Sequence, residues 1–134
     1  MNTQEIGKIV LRIILGLTFF IHGLAKFQDG ISNTVGFFDS IGIPGFLAYA
    51  VAAIELVGGI ALILGLGTRV IAILFAVILA GAILTAKLPA GFLGNGQMAG
   101  YELDLALLAM SIYFILADKS FLSLDRKLFN SGNN

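Results

Sequence analysis

The sequence predicts an all-α membrane protein: a bundle of four transmembrane helices, both termini cytoplasmic, with a short interfacial helix in the first outer loop. Three observations predict it. The 134 residues are 58% hydrophobic and 12% charged, with a mean hydropathy of +0.99, too apolar for a water-facing domain of this size. Four segments, 6–27, 46–66, 68–87 and 101–118, meet or approach the roughly 20 apolar residues that a spanning helix needs. Most of the ionisable groups inside or beside these segments gather in one half of such a bundle. The length permits one small polytopic domain, 1–134.

The first segment opens on Lys8 and Arg12 and carries Thr18, His22 and Lys26 at intervals of four, a polar stripe on one helix face. Two basic residues ahead of an apolar run ending in Gly23-Leu24-Ala25 also resemble a cleavable signal peptide. The three further spans and the helical spacing of His22 and Lys26 favour a retained helix. In the connection 28–45, Asp29-Gly30 makes a turn. Residues 34–41, with Val35, Phe37, Phe38 and Ile41, form the interfacial helix, which Gly42-Ile43-Pro44-Gly45 stops.

The second segment holds Glu55 near its middle, with Ala52, Gly58 and Gly59 as helical neighbours. Small residues are where membrane helices approach closely, so Glu55 is expected in a helix–helix interface. The turn 65–69, Gly65-Leu66-Gly67-Thr68-Arg69, makes the second and third segments antiparallel neighbours. Ala72, Ala76 and Ala80 form a packing seam on the third, which runs out at Lys87. Residues 88–100, with Pro89 and four glycines, read as a loop or re-entrant cover. The fourth segment aligns Glu102, Ala106, Ala109 and Tyr113 on one face and Asp104 with Ser111 on another. Glu102 and Asp104 lie about 160° apart, so a regular helix cannot aim both at one small pocket. The polar tail 119–134 is expected at the cytoplasmic surface.

Orientation follows from Lys and Arg. With both ends on one side, that side carries Lys8, Arg12, Arg69, Lys119, Arg126 and Lys127, and the other only Lys26 and Lys87. The positive-inside rule makes the first side cytoplasmic. His22, Lys26, Lys87, Glu102 and Asp104 then fall in the outer half, with Glu55 about 14 Å down its helix, near the midplane.

With no cysteine, the chain encodes no thiolate nucleophile, disulfide relay, iron–sulfur cluster or thiolate zinc site. His22 is its only histidine, so a bis-histidine haem within one protomer is excluded, and no metal site is expected. Zero net charge gives no nucleic-acid signature. What remains is a set of costly intramembrane charges, which are functional candidates by default. Each has an architectural alternative: Lys26 and Lys87 as snorkelling headgroup anchors, Asp104 as a helix N-terminal charge, and His22 as a hydrogen-bonded core residue. Arg12 is either an inner-leaflet anchor or half of an ion pair. Glu55 is either protonated by desolvation or paired with a cation such as Arg12.

Gly16-Leu-Thr-Phe-Phe-Ile-His-Gly-Leu-Ala-Lys26, Gly42-Ile-Pro, Ala53-Ile-Glu55-Leu-Val-Gly-Gly through Gly65-Leu-Gly-Thr-Arg69, Glu102-Leu-Asp-Leu and Ser123-Leu-Asp125 follow one another in an order that resembles the DoxX family of small bacterial membrane proteins. The resemblance covers nearly the whole chain. It implies a four-helix bundle in the cell membrane and an oxidoreductase or quinone-linked subunit. The chain departs from the family where Asp118-Lys119-Ser120-Phe121-Leu122 stand in place of a Gly-x-Gly before Ser123, so the terminal loop is given no role.

The leading expectation is a pocket in the outer half for a quinone, hydroquinone or similar small aromatic, with a quinone as the implied cofactor. Here His22 exchanges a proton, Lys26 holds an oxyanion, Glu102 orients His22 and Glu55 continues a proton path. Phe19, Phe20 and Tyr101 offer ring contacts, Asp104 and Lys87 further ligand contacts, and Arg12 and Arg69 serve as structural charges. Electrons then come from the ligand or from a soluble or membrane redox partner, since no redox group is encoded. The alternatives are a non-catalytic anchor for a soluble enzyme at Arg69 or the tail, and an oligomeric transporter. Beyond the bilayer itself, a homo-oligomer is a further candidate partner.

Overall fold

A computed structural model of the chain describes residues 2–120 and 122–129. Helix α1 (Thr3–Gln28) starts where the side chain of Asn2 accepts the Glu5 amide at 2.9 Å, satisfying a donor that the first turn leaves unpaired. It ends at Asp29 and at Gly30, whose φ of +95° turns the chain out of the helix. Helix α2 (Ile31–Ser40) follows at once, starting three residues before the expected 34–41 segment. Next come α3 (Leu47–Leu64) and α4 (Thr68–Ala82). The third segment then passes through a π-helical turn (Ile83–Lys87) and a short 3-10 turn (Leu88–Ala90). Helix α5 spans Glu102–Leu116 and the small α6 spans Leu124–Phe129. The sequence reading ended the third segment at Lys87 and gave the fourth 101–118. Helical structure instead reaches Ala90, and α5 is shorter at both ends. Of the tail, Phe121 and residues 130–134 lie outside the described residues.

All elements are helical among the described residues. Three helices are long and apolar enough to cross a membrane: Thr3–Gln28, Leu47–Leu64 and Thr68–Ala90. With 15 residues, α5 rises only about 22 Å.

Two helix pairs make the bundle, α1 with α3 and α4 with α5. Glycine decides the first. A Cβ on Gly59 would meet the Phe20 amide nitrogen at 2.5 Å and the Gly16 carbonyl at 2.6 Å, and one on Gly23 would meet the Leu56 nitrogen at 2.6 Å. Backbones touch along this seam, the approach that small residues permit in membrane helices. In the second pair, α4 contributes Ala72, Phe75 and Leu79, while α5 contributes Asp104, Leu107, Ser111 and Phe114, an inward stripe at helical spacing. Ser111 is satisfied by donating to the Leu107 carbonyl at 2.8 Å. Glu102, Ala106, Ala109 and Tyr113 all face outward. The pairs meet at Leu15, Phe19, Leu62, Phe75 and Phe114, where the Phe19 and Phe75 rings stack 3.7 Å apart at 12°.

At the end of the bundle that holds the α3–α4 turn, the last segment closes the structure. Asp125 is buried and accepts the amides of Gly67 at 2.7 Å and Thr68 at 2.9 Å, capping α4 through a distant residue. Its own amide donates to the Gly65 carbonyl at 2.9 Å. Arg12, 3% exposed, donates to the Leu122 carbonyl at 2.7 Å and, at 3.5 Å, to that of Ile63, with Asp125 acting on it electrostatically. Gly65 (φ +72°) sits against Ser123 and Arg12, so a side chain there has no room. Lys8 and Arg69 donate to the carbonyls of Asp118 and Ala117 just past α5, where cations complement the helix dipole. The Ser123-Leu-Asp125 stretch, given no role by sequence, is the piece that locks this end.

Candidate functional site

The opposite end, where α1 finishes and α3 starts, is open between the two helix pairs. There a cleft of about 1010 Å³ is lined by α1, α2, α3, the α4–π-helical segment and α5. The volume sits at the upper end of the range for small-molecule sites, and the walls are mostly apolar.

Two ion pairs stand in these walls. Lys26 of α1 donates to Glu55 Oε1 of α3 at 2.6 Å; the Glu55 side chain is 5% exposed and that of Lys26 26%. Lys87, the last residue of the π-helical turn, lies 2.7 Å from Asp104 Oδ2 of α5, the side chains being 29% and 11% exposed. This second contact is a charge contact without hydrogen-bond alignment, and it leaves Asp104 Oδ2 with no aligned donor. In each pair the carboxylate is the buried member and the ammonium the more open one. An ammonium carries three donors, so each lysine keeps N–H groups that its carboxylate does not engage.

The antiparallel register of α1 on α3 explains why Glu55 meets Lys26 and not Arg12. Gly16 faces Gly59 and Ile63, and Gly23 faces Ala52 and Leu56. As α1 rises, its partner residue number falls. Arg12 therefore arrives at Ile63 and Gly65, several turns from Glu55, and Lys26 arrives beside it. The sequence offered Arg12 as the example of a cation for Glu55; the partner is at the other end of the same helix.

Other candidates divide between the cleft and elsewhere. His22 is exposed at the cleft wall, one turn before Lys26. Phe19 lines the cleft floor while stacked on Phe75. Phe20 packs its backbone against Gly59 and is not in the cleft wall. Tyr101 sits edge-on to Phe92 at 5.6 Å, and Glu102 is exposed at the start of α5; neither lines the cleft. Asp104 turns in and Glu102 turns out, as their angular separation requires. Arg12 and Arg69 belong to the closed end.

The sequence reading missed α2 as a cleft wall. Asn33, Thr34, Phe37, Phe38 and Ile41 face the cavity, and their spacing, Asn33/Phe37/Ile41 and Thr34/Phe38 each at intervals of four, is a helical face that was legible in the sequence. Gly45 holds this helix against the start of α3, where a Cβ would meet Val35 at 2.7 Å and Asp39 at 2.9 Å. Met98 reaches the cleft from the glycine-rich connection, which is shaped by the Gly94–Ala99 bridge and by Asn95 accepting the Met98 amide at 2.8 Å.

The sequence profile of the DoxX family matches residues 7–88, which hold α1 through the π-helical turn and so Lys26, Glu55 and Lys87. The chain belongs to the DoxX family. This DoxX protein is 49% identical over 130 residues, 97% of its own length and 92% of the relative's, to a Bacillus subtilis (strain 168) protein whose name is "Putative oxidoreductase CatD". It is 35% identical over 130 residues, 90% and 80% of the two chains, to a Mycobacterium tuberculosis membrane protein. It is also 31% identical over 70 residues, 52% and 53% of the two chains, to the Escherichia coli inner membrane protein YqjF. No solved structure matches it. With its apolar helices, this DoxX protein is a membrane protein in contact with lipid.

Proposed function

We propose that this DoxX protein binds a quinone, a hydroquinone or a similar small aromatic in the cleft and serves a membrane-bound oxidoreductase or quinone-detoxifying system. The observation that carries this reading is the cleft itself: an apolar cavity of about 1010 Å³ into which two lysine–carboxylate pairs and one imidazole converge. Pockets of this type take flat apolar ligands and orient them with a few polar groups. The donor set suits such a ligand, since ammonium N–H groups satisfy carbonyl or phenolate oxygens and the carboxylates behind them hold the ammonium groups in place. A quinone–quinol couple supplies the electron chemistry when bound.

The chain's own groups bind, orient and exchange protons. His22 brings an imidazole, a side-chain type suited to proton exchange, to the cleft wall one turn from the positive charge of Lys26. Glu55, buried behind Lys26, fixes the ammonium and offers a proton acceptor deeper in the bundle. The oxidoreductase name of the Bacillus subtilis relative supports the redox reading.

The same reading has α5 as a fourth span in a bacterial cell membrane, both termini cytoplasmic, α2 interfacial, and 119–134 as the cytoplasmic tail. Leu103, Leu105, Ile112 and Leu116, all exposed on α5, form the surface that lipid would cover, and the six cations on the closed side support the orientation.

Calorimetric titration of the detergent-purified protein with a short-chain menaquinone analogue tests the proposal. Saturable binding that His22→Ala and Glu55→Gln weaken, in proteins that still melt cooperatively, is the expected result. Absence of binding to the wild type refutes it and leaves the charges an architectural role in a membrane anchor for a soluble enzyme.

A further inference from the structure

The two ion pairs are not equivalent, and they stand on different halves of the bundle. Lys26–Glu55 ties α1 to α3, and Lys87–Asp104 ties the π-helical turn to α5. Since α1 packs on α3 and α4 on α5, each pair belongs to one wall and the cleft lies between them. The π-helical turn at Ile83–Lys87 widens the helix at the point where Lys87 is presented; such turns cluster at functional sites. Lys26 is held by an aligned hydrogen bond with His22 one turn away, whereas Lys87 faces Asp104 without alignment and with no imidazole beside it. Between the walls, Phe37 and Phe38 of α2 supply aromatic surface.

Building on the proposed function, we infer that the cleft reads its ligand from both ends: it takes an aromatic ring carrying oxygen functions on opposite edges, one met by Lys26 with His22, the other by Lys87. The Lys26 end combines a cation with a proton-exchanging group and suits the oxygen whose protonation changes. The Lys87 end offers a cation alone and suits the opposite oxygen as a hydrogen-bond acceptor. Two separated ammonium groups, each backed by a buried carboxylate, exceed what a ring with one oxygen can use. A bound ring lacking its second oxygen would cover one ammonium without giving it an acceptor, which costs affinity.

The test is anaerobic calorimetry on the full-length protein in detergent. It compares durohydroquinone with durenol, the same tetramethyl ring lacking one hydroxyl, and needs no variant. Durohydroquinone should bind about tenfold or more tightly. Two charge-neutral double variants, Lys26→Met with Glu55→Gln and Lys87→Met with Asp104→Asn, should each remove that advantage, with folding checked by circular dichroism melting. Equal affinity for the two ligands overturns the two-ended reading while leaving an aromatic site in place. So does durohydroquinone binding unaffected by the folded Lys87/Asp104 variant. If neither these rings nor the menaquinone analogue binds, the proposed function fails together with this inference.

Discussion

Lys26 and Glu55 stand 29 positions apart and meet at 2.6 Å inside an apolar bundle. A buried carboxylate that loses its cation keeps its desolvation cost without compensation, which typically amounts to several kcal/mol. Lys26→Met should therefore destabilise the protein by about 3 kcal/mol, the lower end of that range because the lysine is partly open. Lys26→Met with Glu55→Leu should recover most of the loss. Thermal melts in detergent separate these outcomes, and an unchanged Tm for the single variant would show that Glu55 does not depend on Lys26. Asp125 is the second decisive residue. Asp125→Ala uncaps the Gly67 and Thr68 amides and removes the charge facing Arg12, whose Nε and Nη1 already lack hydrogen-bond partners among the described residues. A loss of about 2 kcal/mol is expected, measurable as a lower denaturant midpoint. Asp125→Asn, which keeps one acceptor, should lose less.

At the scale of elements, the α1–α3 seam is set by what its glycines leave out. Gly59→Ala places a Cβ against the backbone of Phe20 and Gly16, and backbone cannot rotate aside, so about 1–3 kcal/mol should be lost. Gly36, on α2, has nothing within 4 Å of the equivalent position. Gly36→Ala should gain up to about 1 kcal/mol from helix propensity. Comparing the two melts isolates contact from propensity, and equal effects would argue against close backbone packing at Gly59. Helix α2 and the π-helical turn show the limits of periodicity. The cleft-facing stripe on α2 could be read from its spacing, but the extra residue per turn at Ile83–Lys87 has no sequence signature here. Lys87 was legible as a helix-end lysine; its aim at Asp104 was not.

On the scale of the whole molecule, the bundle divides into a closed end and an open end. The closed end carries Arg12, the α3–α4 turn and Asp125, and the open end carries the cleft with its two ion pairs. Closure at one end and an open cleft at the other suit the proposed entry of a ligand between the helix pairs. Because the chain has no cysteine, single substitutions report topology cleanly. Asn33→Cys should react with an impermeant maleimide added outside intact cells, while Arg126→Cys should react only after permeabilisation. Labelling of both from outside would overturn the four-span orientation, since α5 would then not cross.

Composition, hydropathy and spacing determined by themselves that the chain is helical and membrane-embedded. They also singled out the ionisable residues of the spans as candidates, and determined that Asp104 and Glu102 point opposite ways, because helix geometry is local and a bilayer tolerates few charges. The order Gly16 to Lys26 and Ala53 to Arg69 carried the family. Only the tertiary structure decided partners: Lys26 for Glu55, Asp104 for Lys87, and Asp125 for the start of α4. The first follows from the register of α1 on α3, set by backbone contact at Gly16, Gly23 and Gly59, the second from a turn of π-helix, and the third from docking of the last segment on the α3–α4 turn. Such contacts join residues far apart in the chain, so no local pattern encodes which of several charges will meet. For the same reason Phe20, Tyr101 and Glu102, plausible by residue type, lie outside the cleft, while Phe37 and Phe38, easily taken for membrane-surface residues, line it.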